Sequence, residues 1–115
     1  MDYKDKTSLE QRTVETLKLL RKYPDKVPVY IEIPNNDMIL DKRKYLVDNN
    51  VTIMNLQVLI RKYVRLHSAE SIYMLVNKKL IPITMSLGEL YKTDKNEDGL
   101  LYVQLLKENT FGSIL

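Results

Sequence analysis

Cysteine is absent from this sequence, and histidine occurs only at position 67. Without cysteine there are no disulfide bonds, thiolate metal sites or cysteine nucleophiles, and the composition suits a reducing compartment. A histidine-dependent catalytic triad would have to be built on His67, and no two carboxylates are predicted to share a face as an acid and base pair would. We therefore expect a protein that is not an enzyme and that carries neither a cofactor nor a metal ion.

Long apolar runs are absent as well. No segment approaches the ~18 consecutive apolar residues that span a bilayer, and the amino terminus is charged, unlike a signal peptide. We therefore expect a soluble, cytoplasmic protein. Its net charge of +3 permits contact with acidic partners or an anionic membrane surface but does not require nucleic acid.

Residues 27–33 carry the clearest strand pattern. Valine or isoleucine occupies every odd position, while Pro28, Tyr30 and Glu32 occupy the even ones. This period of two is typical of a strand with one buried and one open face. Because Pro28 cannot donate a hydrogen bond to a sheet, we expect one neighbouring strand to be missing or weakly paired there. The strand should then border a groove, with Tyr30 facing a docking partner.

Three hydroxyl residues mark the starts of helices. Ser8 and Ser86 each have a glutamine or glutamate three residues later, as in a capping box, and Thr52 precedes the strongest helical pattern. Helices are predicted over residues 9–22, from 52 to 66, and from 86 to about 91. In the first of these, Val14, Leu17 and Leu20 or Arg21 return to one side, and this narrow apolar stripe should pack the helix against the outside of the core.

The remaining strands are predicted at residues 42–47, 72–76 and 100–106. The last two are apolar on both parities, which favours central positions in a sheet. The order of elements predicts an α+β domain of the β-grasp (ubiquitin-like) type, with a four-stranded sheet, a crossover helix and extra N-terminal helices. We favour this arrangement over a ferredoxin-like one.

With 115 residues, of which 44% are hydrophobic, the chain should form a single core. We expect a helical arm over residues 1–24, the ubiquitin-like core over 25–108, and a flexible tail over 109–115.

Residues 94–99 match the first half of a calcium-binding EF-hand loop, D-x-N-x-D-G. The twelfth position, which should supply a bidentate glutamate, is Leu105, and a strand follows where a helix is required. We interpret the segment as an acidic turn.

Cationic residues could form a nucleic-acid surface, but a solvated sheet edge and helix end explain them equally, and exposed aromatic residues are not interleaved with them. They are Lys42, Arg43, Lys44, Arg61, Lys62 and Arg65. We therefore consider nucleic acid an improbable partner, and His67 a surface residue at the end of a helix.

In several segments the chain resembles the ubiquitin-like autophagy modifiers, the family of GABARAP and the microtubule-associated protein light chains. The matching segments are residues 21–29 (RKYPDKVPV), 40–47 (LDKRKYLV), 59–62 (LIRK), 75–77 (LVN), 90–91 (LY), 97–102 (EDGLLY) and 111–112 (FG). They occur in order along the chain, and the resemblance covers about residues 9 to 112. The resemblance implies a ubiquitin core preceded by two helices, the fold already predicted from the elements.

The resemblance also implies carboxyl-terminal chemistry. In the family a cysteine protease cuts after a glycine, activating and conjugating enzymes carry that glycine, and it becomes linked to phosphatidylethanolamine in autophagosome formation. Gly112 would be the conjugated residue, with cleavage between Gly112 and Ser113. The protein would then move from the cytoplasm to autophagosomal or vesicle membranes. A ubiquitin-like interaction module that is never conjugated remains the alternative.

Family members bind short motifs of cargo receptors and autophagy proteins that carry an aromatic residue and, three positions later, an aliphatic one. The resemblance implies an aromatic pocket formed by Glu15, Leu19, Pro28, Tyr30, Lys44, Leu46 and Leu100. It implies an aliphatic pocket formed by Tyr45, Val47, Val51, Leu56, Leu59 and Ile60. The peptide would pair with the edge strand at residues 44–47, and Lys42 and Lys44 would attract flanking acidic residues.

Three residues depart from the family pattern. Tyr30 replaces a smaller aliphatic residue, Leu100 replaces a phenylalanine, and Asp48 stands where proline is common. Because two of the three belong to the aromatic pocket, we expect these differences to affect which motifs the protein prefers.

Overall fold

The computed structural model describes residues 3–66 and 71–108. Its elements in chain order are α1 (Tyr3–Lys6), α2 (Leu9–Lys22), β1 (Lys26–Glu32), β2 (Lys44–Asp48), α3 (Ile53–Arg61), β3 (Ile72–Val76), β4 (Lys79–Leu80), α4 (Leu87–Asp94) and β5 (Leu101–Lys107). No helix in these residues is long and apolar enough to cross a bilayer.

The strands form one mixed sheet in the order β2-β1-β5-β3-β4. β1 and β5 are parallel and the other pairs are antiparallel, which places the first and last strands side by side in a β-grasp fold. The predicted fold class is confirmed, but in the described part of the chain the sheet has five strands and not four. The additional strand, β4, has two residues and follows a turn at Asn77 and Lys78, which both have positive φ. Such a short strand has no readable period.

The predicted helix starts are confirmed by their caps. The hydroxyl oxygens of Ser8, Thr52 and Ser86 accept hydrogen bonds from backbone N–H groups three residues later, at 3.1, 3.2 and 3.2 Å. The ends differ from the prediction. α3 stops at Arg61 because the N–H of Arg65 donates to the carbonyl of Ile39 at 2.8 Å, drawing the chain into a bridge. α4 continues to Asp94.

The sheet is covered on both faces. The main core contains the fully buried Ile53, Leu56 and Ile60 of α3 together with the odd-numbered residues of β1. On the opposite face, Tyr30, Leu100 and Tyr102 form a second buried cluster, against which Tyr3 packs. β5 is central as predicted, whereas β3 lies next to the short β4 and buries only alternate residues.

β1 is an inner strand and not an edge, but its pairing with β5 is missing at Pro28 as predicted, and Tyr30 lines a cavity near its end. β1 lies between β2 and β5, and its even-numbered residues Pro28 and Tyr30 are buried. The N–H of Ile31 points toward β2, where it donates to the carbonyl of Arg43. By alternation, residue 28 would direct an N–H toward β5, and pairing with β5 begins only at Val29. A proline is therefore tolerated within this inner strand.

The predicted buried face of α2 is wrong. Val14 and Leu17 are each 47% exposed, and the buried residues of α2 are Arg12 and Thr16. Arg12 Nε donates to Asp98 Oδ2 at 2.9 Å, and the hydroxyl of Thr16 donates to the carbonyl of Arg12 at 2.8 Å. A pattern of apolar residues could not reveal this face because a polar contact orients the helix.

Candidate functional site

The outer edge of β2 offers backbone groups for strand pairing. Because Ile31 and Arg43 form a hydrogen-bonded pair in the register, the alternation of an antiparallel ladder points the backbone groups of Lys44 and Leu46 away from β1. Within residues 3–66 and 71–108, no strand pairs with this edge. The side chains of β2 divide between the two faces of the sheet, with Tyr45 and Val47 toward the main core.

On the α3 face a cavity of about 470 Å³ lies beside β2. This β2–α3 cavity is lined by Asp41, Lys42, Tyr45, Leu46, Val47, Leu59 and Tyr63. Three residues predicted for the aliphatic pocket line it, namely Tyr45, Val47 and Leu59. Two others, Leu56 and Ile60, have no exposed surface and belong to the main core, while Val51 is half-buried against that core.

Tyr63 was missed as a lining residue. The predicted helix reached residue 66, but α3 ends at Arg61 and Tyr63 is 59% exposed. The predicted basic residue Lys42 also lies at this cavity, with Nζ 5.0 Å from the centroid of the Tyr45 ring. The cavity thus combines apolar walls with a cation.

On the opposite face, Tyr3 of α1 contacts residues predicted for the aromatic pocket. Its ring stacks on Tyr30 with centroids 5.0 Å apart and an interplanar angle of 17°. Its hydroxyl donates to Glu15 Oε2 at 2.7 Å and accepts from Lys44 Nζ at 2.8 Å. Lys44 Nζ also lies 4.0 Å from the centroid of the Tyr3 ring. Sequence reasoning did not assign Tyr3 to this pocket.

Burial and the hydrogen bonds around Tyr3 shift the pKa values of Tyr3, Glu15 and Lys44. Burial raises the pKa of Tyr3, so its hydroxyl stays protonated and donates a hydrogen bond to the Glu15 carboxylate. That hydrogen bond lowers the pKa of Glu15. Burial alone would lower the pKa of Lys44, but its contacts with Tyr3 and Glu15 raise it overall. At neutral pH the three side chains therefore form a charge-assisted network.

Of the other residues predicted for this pocket, Leu100 belongs to the same buried cluster as Tyr30. Pro28 and Leu46 are register partners on β1 and β2, and Leu19 is half-buried on α2. A larger cavity of about 760 Å³, near the end of β1, shares only Tyr30 with the predicted pocket.

Residues 3–7, which include α1 and are called the α1 arm below, are held by a buried ion pair. Arg12 Nη1 donates to the carbonyls of Thr7 and Lys4 at 2.6 and 3.3 Å, while its Nε donates to Asp98. Asp98 Oδ2 also accepts from the Tyr102 hydroxyl at 2.5 Å, and burial together with this bond raises the pKa of Tyr102. Lys4 Nζ lies 4.1 Å from the centroid of the Tyr102 ring.

The segment at residues 94–99 forms a turn in which Asp94 and Asp98 bond to other parts of the protein. Asp98 faces Arg12, and Asp94 Oδ1 accepts from Asn77 Nδ2 at 3.0 Å and from Lys79 Nζ at 3.1 Å. The bonds from Asn77 and Thr93 lower the pKa of Asp94. Gly99 has φ of +89°, a conformation that glycine adopts without strain.

The predicted conjugation and cleavage residues, Gly112 and Ser113, lie outside the described residues, as does His67.

Comparison with known proteins agrees with this geometry. The family model described as "Autophagy protein Atg8 ubiquitin like" matches residues 11–112. The chain belongs to the Atg8 family. Autophagy-related protein 8 of Schizosaccharomyces pombe is 35% identical over 97% of this chain and 94% of its own length. The Candida albicans protein of that name is 38% identical, covering 98% and 85% of the two chains.

Solved structures of Atg8 proteins share the fold. The crystal structure of Trypanosoma brucei ATG8 matches with a TM-score of 0.86 and 28% identity, over 94% of this chain and 95% of that one. Plasmodium falciparum Atg8, solved in complex with a Plasmodium falciparum Atg3 peptide, matches with a TM-score of 0.83 and 29% identity, over 92% and 95%. This chain is thus a ubiquitin-like autophagy protein of a modifier family and not of an enzyme family.

Proposed function

We propose that this Atg8 protein is an adaptor that captures short aromatic-x-x-aliphatic motifs and is attached to membranes through Gly112. The observation that carries the proposal is the outer edge of β2, which lies between apolar sites on opposite faces of the sheet. The motifs would belong to cargo receptors and autophagy proteins. The protein would act in the cytoplasm and, once lipidated, on autophagosomal or vesicle membranes.

The spacing of such a motif suits this edge. In an extended peptide, side chains three positions apart point to opposite faces and lie ~10 Å apart along the strand. A peptide paired with Lys44 and Leu46 would therefore send its aliphatic residue toward the β2–α3 cavity and its aromatic residue toward Tyr30. Lys42 would attract acidic residues of the peptide. So few contacts support micromolar affinity, about −7 to −8 kcal/mol.

Replacing Leu59 with alanine should weaken binding of a synthetic peptide with a Trp-x-x-Leu core about 5–10-fold. Leu59 lines the β2–α3 cavity, and each buried methylene contributes about 0.8 kcal/mol. Isothermal titration calorimetry measures the change. The matched control is Val58→Ala on the same helix, because Val58 is 55% exposed and does not line the cavity. Equal affinities for the two variants would place the aliphatic residue elsewhere.

We also propose that a cysteine protease removes residues 113–115 and that activating and conjugating enzymes transfer Gly112 to phosphatidylethanolamine. A glycine has no Cβ, so an extended tail ending in it can enter a narrow active site and present its carbonyl carbon. The Plasmodium falciparum relative was solved with an Atg3 peptide, which supports a partner from the autophagy proteins for this chain as well.

Mass spectrometry of the protein from cells should therefore find a form that ends at Gly112 and carries phosphatidylethanolamine. Gly112→Ala should abolish this form and leave the protein in the membrane-free fraction, while Ser113→Ala should be processed. Membrane recovery of the Gly112→Ala variant equal to that of the wild type would favour the unconjugated interaction module.

A further inference from the structure

Tyr3 lies where the aromatic residue of a bound motif would be placed. It stacks on Tyr30, packs against the cluster that contains Leu100, and bonds to both Glu15 and Lys44. All four of these contacts are members of the predicted aromatic pocket. We propose that Tyr3 is an intramolecular occupant of this pocket, which a peptide must displace to bind with its aromatic residue; this inference rests on the proposed function.

The side chain of Tyr3 makes the contacts that a peptide aromatic residue would make. Its ring uses the apolar face of Tyr30, and an offset stack of two aromatic rings is favourable beyond the area buried. The Lys44 ammonium lies over the ring, 4.0 Å from its centroid. The hydroxyl forms hydrogen bonds with both Glu15 and Lys44, which also form an ion pair at 3.4 Å.

The residue at position 30 allows this arrangement. Tyr30 is only 9% exposed, and it contacts Tyr3 on one side and Tyr102 on the other, with centroids 5.0 and 5.6 Å away. A small aliphatic residue would offer no ring for the stack. The Tyr30 ring is therefore the surface on which Tyr3 rests.

Displacement of Tyr3 requires α1 to move away from the pocket. α1 has four residues, none of them fully buried, and a helix this short is not stable by itself. Its position depends on Tyr3, on Lys4 over Tyr102, and on the two carbonyl bonds to Arg12. Releasing Tyr3 exposes Tyr30 but leaves the buried pair of Arg12 and Asp98 in place.

We expect occupation of the pocket by Tyr3 to lower the affinity for peptides that insert an aromatic residue. When only a fraction of molecules has an open pocket, the apparent affinity of a peptide that needs the open state falls in proportion to that fraction. A peptide with an acidic residue that binds Lys44 would also compete with the bonds that hold Tyr3. Peptides that lack the aromatic residue should bind with the same affinity whether or not Tyr3 occupies the pocket.

Titration of the full-length chain with a synthetic peptide containing a Trp-x-x-Leu core tests the inference. Tyr3→Ala should bind about tenfold more tightly than the wild type, and Tyr3→Phe, which keeps the stack but loses the hydroxyl bonds, should fall between them. The matched control is Tyr23→Ala, since Tyr23 is an exposed tyrosine at the other end of α2 and should leave affinity unchanged. A second peptide with alanine in place of tryptophan should bind the wild type and Tyr3→Ala with equal affinity.

A structural measurement accompanies the titration. In the free wild-type protein, NMR should show nuclear Overhauser contacts between the rings of Tyr3 and Tyr30, and saturating Trp peptide should abolish them. Unchanged or weaker binding by Tyr3→Ala, or contacts that persist in the complex, would overturn the inference while leaving the adaptor function intact. Failure of the peptide to bind any of these proteins would instead refute the proposed function.

Discussion

Replacing Asp98 with alanine should lower the free energy of unfolding by about 3–5 kcal/mol. The Asp98 side chain is fully buried and accepts hydrogen bonds from Arg12, Tyr102 and the N–H of Leu100. Its removal leaves the Arg12 guanidinium buried without its counter-charge and leaves the Tyr102 hydroxyl without its acceptor. Unfolding in urea, followed by circular dichroism, measures the loss.

The control for this experiment is a second aspartate in an ion pair. Asp48 bonds to Lys26 at 2.5 Å, but its side chain is 62% exposed. Exposed pairs contribute little because water screens them, so Asp48→Ala should change stability by less than about 1 kcal/mol. Similar losses for the two variants would show that burial does not set the importance of the Arg12 and Asp98 pair. Because Arg12 also binds the α1 carbonyls, the Asp98 variant should loosen the α1 arm as well.

Leu56→Ala should destabilise the fold by about 2–5 kcal/mol. Leu56 has no exposed surface and lies in the main core between α3 and the sheet. The substitution removes the buried methyl groups and leaves a cavity that the surrounding side chains fill only in part. Thermal and urea unfolding measure the change, and the slope of the urea transition should stay the same if the variant still unfolds in two states.

Val58 provides the comparison on the same helix. It is 55% exposed, so Val58→Ala should change stability by no more than about 0.5 kcal/mol. If Leu56→Ala were as stable as Val58→Ala, α3 would not be the element that covers this face of the sheet. The placement of the β2–α3 cavity beside it would then also be wrong.

Most of the elements could be predicted because their signals are local. A hydroxyl at Ser8, Thr52 or Ser86 bonds to a backbone N–H three residues away, so each helix start depends on a few adjacent residues. β5 is apolar at nearly every position, and it is central in the sheet. The strand β4 was not predicted because its two residues are too few to show an alternating pattern.

The candidate site was predicted less completely than the fold. The family resemblance placed Tyr45, Val47 and Leu59 together, and the structure brings these three to one cavity. It did not separate lining residues from core residues, because Leu56 follows the same helical period as Leu59 but is completely buried. Nor did it assign any role to Tyr3, whose partner Tyr30 was expected to face outward.

By itself, the sequence determined the helix starts, the alternation of β1, the apolar central strand and the family to which the chain belongs. Those features depend on contacts between near neighbours, or on residue identities that can be compared directly. The tertiary structure alone decided which face of α2 is buried, because Arg12 and Asp98 are 86 positions apart. It also decided that Tyr3 covers Tyr30, because that contact requires Glu15 and Lys44, 29 positions apart, to meet at one hydroxyl. Contacts between such distant residues depend on how the helices pack on the sheet, and a periodic pattern within one segment cannot predict them.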